Sequence, residues 1–270
     1  MKTVCFIGDP NPHYSSYNWM INAQELGYSS RLNDLSGLTR NDVIIVDKFT
    51  EVDISSSPAK KILYFPDVIG PNWVTNRYIR HRTSLLLKMA HKVDIIVVPP
   101  NVKVMNYAHK VTKKPVFKML FGVYTSYFQF VPPTFPHKSV QRGFCWSLGS
   151  RRRDQLIAKY GLAQIQGFGQ EMIHNLSKCH YAFNAHYTSL PNNEQRLTEI
   201  PLALTIPVSE PLSDPEQLAK LHIVPLNKVE ETFLDPEQYR ALACENLNVV
   251  MKEYNSRESL KLLLSYLRSP

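Results

Sequence analysis

"GFCWSLGSRRRDQLIAKYG", residues 143–161, begins as an apolar strand, turns at Gly149 and Ser150, and enters a helix through three consecutive arginines. A strand running directly into a helix is half of a βαβ unit. Ser150 is suited to cap that helix, and the free N–H groups and positive dipole end behind it attract an anion. Cations at this end of a helix oppose the dipole. Arg151, Arg152 and Arg153 therefore make most sense around a phosphate that accepts bidentate hydrogen bonds. The alternative is three solvated arginines on a basic surface.

The same alternation continues on both sides. Downstream, 163–169, 181–186, 205–211 and 222–226 read as strands, each followed by a segment that can be helical, and helices over about 236–254 and 256–268 finish the chain. Upstream, the runs 3–9, 42–49, 61–67, 93–100 and 115–122 have the near-continuous hydrophobicity of strands covered on both faces. Helical patterns lie between them at 15–26 and 77–91. Residues 128–142 hold three prolines and no clear periodicity, as a semi-rigid connection would.

This pattern predicts an α/β protein of two Rossmann-like, doubly wound domains facing across a cleft. The expected bounds are 1–130, a linker at 131–142, and 143–270. Open α/β sheets bind ligands beyond the carboxyl ends of their strands, so the candidate chemistry lies just after strands. Asp9, His13 and Asp67 are candidates in the first half, because a general base for a hydroxyl must be a histidine or a carboxylate. Each is also an ordinary turn or packing residue. In the second half, His186 follows a strand, and Arg196 and Glu199 at i and i+3 share one helical face.

Composition fits this reading. The 270 residues are 44% hydrophobic and 20% charged, ordinary for a folded protein. The 31 Lys and Arg exceed the 23 Asp and Glu, which favours an anionic partner: a nucleotide, a nucleic acid or an acidic membrane surface. Cys5, Cys145, Cys179 and Cys244 are far apart and lack metal-ligand spacing, so they read as reduced core residues. The first residues are too short an apolar run for a signal peptide, and no membrane span is expected; a cytoplasmic protein follows. The fingerprint GxGxxG is incomplete, since "GFGQEM" (167–172) has Met172 in place of the third glycine, which disfavours an oxidoreductase. P-loop and esterase motifs are absent from the sequence.

At these residues the chain resembles the GT-B glycosyltransferases of the glycosyl transferases group 1 superfamily. The stretch "SKCHYAFNAHYTSLPNNEQRLTEIPLALTIPVSEPLSDP" (177–215) is similar to the family pattern "sK…lN.H……E..R..EaLa.g.PVvSE…D". The opening "GFCWSLGSRRRDQLI" (143–157), the crossover "FKMLFGVYTSYFQFVP" (117–132) and the tail "YRALACENLNVVMKEYNSRESLKLLLSYL" (239–267) resemble other family segments. The likeness covers residues from about 115 to the end; before that only the α/β pattern matches.

The resemblance implies transfer of a sugar from a nucleotide-diphosphate sugar to an acceptor hydroxyl of a glycan or glycoconjugate, without a metal and with no cofactor beyond the donor substrate. Arg151 or Arg153 then corresponds to cations at the donor diphosphate, and Glu199, beside Arg196, to the carboxylate on the donor ribose. Gly149, Ser150, His186 and Glu194 complete the expected donor side, and Asp9, His13 or Asp67 the acceptor side. Two departures stand out. Pro191 occupies the position of an earlier family glutamate, with Glu194 the nearby carboxylate, and Pro201 is expected to kink or delay the helix that carries Glu199. A non-catalytic nucleotide- or glycan-binding module of the same fold is the alternative. Peripheral contact with an anionic membrane is compatible with the charge, and no nucleic acid is expected as partner.

Overall fold

The structure, a computed structural model, describes residues 3–11, 14–47, 52–70, 77–144, 151–186, 195–231 and 234–267. Their contacts divide the chain into two compact units, 1–120 together with 256–270, and 121–255.

The first unit contains β1 (Thr3–Ile7), α1 (Ser15–Glu25), β2 (Ser29–Leu32), β3 (Val43–Asp47), β4 (Lys60–Tyr64), α2 (Arg77–Ala90), β5 (Ile95–Val98), α3 (Val102–Thr112) and β6 (Val116–Lys118). Its six strands are all parallel, in the order β2-β1-β3-β4-β5-β6. All five residues of β3 are buried, as the unbroken apolar run predicts for a strand covered on both faces. β2, the edge strand, is the sequence "SSRL", whose partial burial leaves little pattern to read. Asn101 starts α3 by accepting from Lys103 N and Val104 N at 2.9 and 3.2 Å, and so satisfies two of the helix's free donors.

The second unit contains β7 (Val140–Phe144), α4 (Arg151–Tyr160), β8 (Ala163–Gln164), α5 (Gly169–Ser177), β9 (Cys179–Asn184), α6 (Arg196–Glu199), β10 (Ile206–Ser209), β11 (Val224–Pro225) and α7 (Pro236–Lys252). Its five parallel strands run β11-β10-β9-β7-β8. The core joins Phe144, Tyr181, Phe183, Ile206 and Val208 to Tyr239 and Ala243 of α7. Gly122 packs where a Cβ would lie 1.9 Å from the Tyr254 carbonyl oxygen, so the chain on either side of α7 closes against itself there. Both units are parallel sheets flanked by helices, the two Rossmann-like folds that the alternation predicts.

The unit bounds differ from the expected ones in two places. The chain passes between units at Leu120 and Phe121, ahead of the proline-rich stretch, and residues 131–142 belong to the second unit. Specific anchors hold them there: Ser139 N and Val140 N both donate to Lys178 O at 2.9 Å, and the Phe135 ring meets Tyr239 edge-on at 6.1 Å. The last helix, α8 (Ser256–Tyr266), belongs to the first unit. It buries Leu260, Leu263 and Leu264 and packs on α1, where Asn22 Nδ2 donates to Ser256 Oγ at 2.6 Å.

Lys138 carries a further consequence of that anchoring. Its ammonium donates to Leu204 O at 2.8 Å and Thr205 Oγ1 at 3.1 Å, over the ring of Tyr239 at 5.9 Å. Burial pulls its pKa down to about 7. A lysine whose folded pKa lies below its unfolded value releases a proton on folding, so stability rises with pH between about 7 and the ordinary lysine value near 10.4. Denaturant titrations from pH 7 to 10 are expected to show this rise, and the rise should be absent in Lys138→Met. An identical slope in both proteins would refute it.

Candidate active site

In each unit a strand interposed in sequence is displaced to the sheet's other side, so β1 lies beside β3, and β7 beside β9. Such switch points are where doubly wound sheets bind ligands, beyond the strands' carboxyl ends. In the second unit this position is furnished with charge.

β10 ends at Ser209, paired with Asn184 at the end of β9, so Glu210 emerges beside Ala185 and His186. The Glu210 carboxylate is buried and accepts the His186 backbone N–H at 2.8 Å. Arg152, on the first turn of α4, grips the same carboxylate with both terminal nitrogens, Nη1 to Oε2 at 2.6 Å. Arg153 is 4% exposed and donates from Nε to Ala185 O at 3.1 Å. The His186 ring faces the Pro211 carbonyl from Nε2 at 3.0 Å; a carbonyl only accepts, so Nε2 carries the proton. Arg151 is exposed at the head of the helix. Among the described residues Glu210 holds Arg152, the second of three adjacent arginines, and Asp154 is exposed on the same turn. The carboxyl end of β9 holds an orphan as well: Asn184 Nδ2 donates to Ser209 Oγ at 3.0 Å, while its buried Oδ1 has no hydrogen-bond partner among the described residues. Buried acceptors are nearly always satisfied, so this one calls for a donor from a ligand or water.

Glu210 also forms part of the wall of a pocket of about 700 Å³, with Ser209, Tyr160 of α4, and Leu218, Leu221 and Leu226 around β11. Its volume falls in the range of small-molecule sites, about 300–1,000 Å³.

Arg196 and Glu199 form a second cluster. Their side chains meet at 2.6 Å and are only 18% and 9% exposed, so this is an inward pair. Arg196 also contacts the sulfur of Met172 in α5. Nearby, burial and then the Glu199 charge push the Tyr127 phenol well above its ordinary range. α6 lasts four residues and tightens into a 3₁₀ turn over Ile200–Ala203 with Pro201 near its start, where the missing N–H denies the α-helix its next bond.

Of the expected donor-side residues, the structure gathers Arg153 and His186 at the switch point and sets Arg196 and Glu199 in the second cluster. Arg151 is exposed at the amino end of α4. Gly149, Ser150, Glu194 and His13 lie outside the described residues, as does Pro191. Asp9 follows β1, exposed, and accepts the Asn11 N–H at 2.9 Å in a local turn. Asp67 has both oxygens engaged: Tyr78 Oη donates to Oδ1 at 2.9 Å, and Arg82 Nε lies 3.2 Å from Oδ2. Arg152 and Glu210 are the site's principal pair; the sequence marks Arg152 within the arginine run and Glu210 as a strand-end residue, but does not pair them. Their separation of 58 residues gives no local pattern; only the position of both just after strands marks them. The glycines of "GFG" have φ of +110° and +54°, so that motif is a tight turn into α5 with Phe168 exposed between them. Among the described residues, no group of three or more His, Cys, Asp or Glu side chains is arranged to hold a metal ion.

No protein family model matches the chain, and no curated protein matches it. Solved structures do. AviGT4, a glycosyltransferase involved in avilamycin A biosynthesis, superposes with a TM-score of 0.57 at 10% identity over 99% of this chain and 97% of its own. The N-terminal domain of Candida albicans trehalose-6-phosphate phosphatase superposes with a TM-score of 0.57 at 11% identity, over 86% of this chain and 71% of that one. Identities this low speak to the fold alone, and on that level the chain has a GT-B-like fold of two Rossmann-like units, shared with glycosyltransferases and other Rossmannoid enzymes.

Proposed function

We propose that the protein is a glycosyltransferase that uses a nucleotide-diphosphate sugar, with the diphosphate held at the carboxyl ends of β7 and β9. The observation that carries this reading is the cationic head of α4 braced against Glu210 at the switch point. Arg151 and Arg153 face the phosphates, and the Arg152–Glu210 brace fixes α4 relative to β9 and β10. The orphaned Asn184 Oδ1 takes a hydroxyl of the donor.

In the reaction, the acceptor oxygen bonds to the anomeric carbon as the bond from that carbon to the diphosphate breaks. The electron pair leaves on the diphosphate and the acceptor's proton passes to a base. Guanidinium groups and helix amides stabilise the departing charge, and each charge-assisted hydrogen bond contributes about 1.5–3 kcal/mol. Asp9 or His13, after β1, is assigned the proton. Asp67, gripped by Tyr78 and Arg82, is better suited to orientation than to proton transfer.

The test is a panel of nucleotide sugars read by thermal stabilisation and by diphosphate release. At least one should stabilise the protein. Arg151→Ala, an exposed change that leaves packing intact, should weaken that affinity about tenfold or more. Stabilisation without release in the presence of acceptors would favour the non-catalytic binding module. No response to any nucleotide would overturn the proposal.

A further inference from the structure

The protein's positive charge is not spread over its surface. Between Val68 and Lys118 the sequence holds ten Lys and Arg and a single acidic residue, Asp94, while the remaining 21 cations and 22 carboxylates of the chain balance. The net charge therefore resides in the segment that forms α2, β5, α3 and β6.

The topology gathers that charge onto one surface. α2 joins β4 to β5 and α3 joins β5 to β6, two crossovers advancing in the same direction across parallel strands. Such connections are right-handed, so both helices lie on the same face of the sheet, and they touch each other. Helical periodicity then sorts each sequence. α2 buries Ile79, Thr83, Leu86 and Met89 and turns Arg77, Arg80, His81, Ser84, Leu87 and Lys88 outward. α3 buries Val104 and Ala108 and turns Val102, Lys103, Asn106, His109 and Lys110 outward, with Lys113 just beyond. Outward stripes of surface helices ordinarily mix both signs. Neither of these carries an Asp or Glu.

Aliphatic side chains stand among the cations. Leu87 is 46% and Val102 44% exposed. A single-stranded nucleic acid would use aromatic side chains to stack its bases, and the two stripes contain no Phe, Tyr or Trp. Cations interspersed with aliphatic groups suit a surface with anionic headgroups above an apolar layer. Among the described residues no helix is long and apolar enough to cross a membrane, so this contact lies on the bilayer surface.

We infer that the outer face of α2 and α3 docks the protein onto a membrane bearing anionic lipids. The inference is independent of the sugar-transfer reading.

The test is co-sedimentation of the full chain with vesicles of phosphatidylcholine alone and of phosphatidylcholine with phosphatidylserine. Binding is expected only to the anionic vesicles and should fall as salt rises. Each cation removed should weaken it about fivefold, so Lys88→Gln, Lys110→Gln and Lys113→Gln together should weaken it about a hundredfold. Leu87→Ser should weaken it several-fold without altering its salt dependence. The residues are exposed, and unchanged thermal unfolding checks that the variants fold. Equal weakening by Lys159→Gln, Lys228→Gln and Lys252→Gln would mean that net charge alone drives binding and would overturn the assignment. Absence of vesicle binding would also overturn it, as would oligonucleotide binding that the first triple variant abolishes while vesicle binding persists.

Discussion

Arg152→Ala is expected to destabilise the second unit by about 1–3 kcal/mol, because it leaves the buried Glu210 carboxylate with the His186 N–H as its one partner among the described residues. Removing the partner of a buried carboxylate costs more than the pair itself contributes, since the remaining charge is still held away from water. The double variant Arg152→Ala with Glu210→Gln separates structure from function. Its neutral amide oxygen still accepts from His186, so stability should return nearly to that of the parent. On the proposed function, sugar transfer should nevertheless stay about ten- to a hundredfold low, because α4 is no longer braced and the arginines assigned to the phosphates shift. Chemical denaturation and diphosphate release measured on the same samples decide it. Full recovery of both would reduce the brace to packing.

For Arg196→Ala a loss of similar size is expected, together with at least a hundredfold loss of turnover if Glu199 meets the donor ribose. An exposed i,i+3 pair would be worth under about 1 kcal/mol. The burial of this one changes that: without Arg196, the Glu199 carboxylate faces a neutral interior lined by Met172 and Tyr127. Arg196→Met with Glu199→Met replaces the pair by apolar groups, a change that is often neutral or stabilising. A double variant as stable as the parent but unable to respond to nucleotide would support a binding role. If that variant responds normally, Arg196 and Glu199 serve the core alone.

Much of this architecture was legible in the sequence. β3, β5 and β9 are apolar runs bounded by turn residues, and α7 and α8 follow helical periodicity; all lie within a few residues of their expected places. β2 was hidden because an edge strand with a half-buried face carries little hydrophobic signal. The packing of 131–142 is not legible in the sequence, because prolines signal stiffness but not what the intervening Phe135 and Lys138 rest upon. At the candidate site, the place of the arginine run at the head of a helix that follows a strand could be read locally. The brace could not, since Glu210 reaches Arg152 only through the pairing of β9 with β10.

The return of α8 to the first unit reverses the usual order of assembly on the ribosome. Domains generally mature from the amino end as they emerge, yet here residues 121–255 form the unit whose sequence is unbroken. The earlier lobe waits, with the flank of α1 uncovered around Asn22, until the final helix has been translated. A chain ending at Asn255 would therefore leave its oldest part, not its newest, unfinished and prone to capture by chaperones.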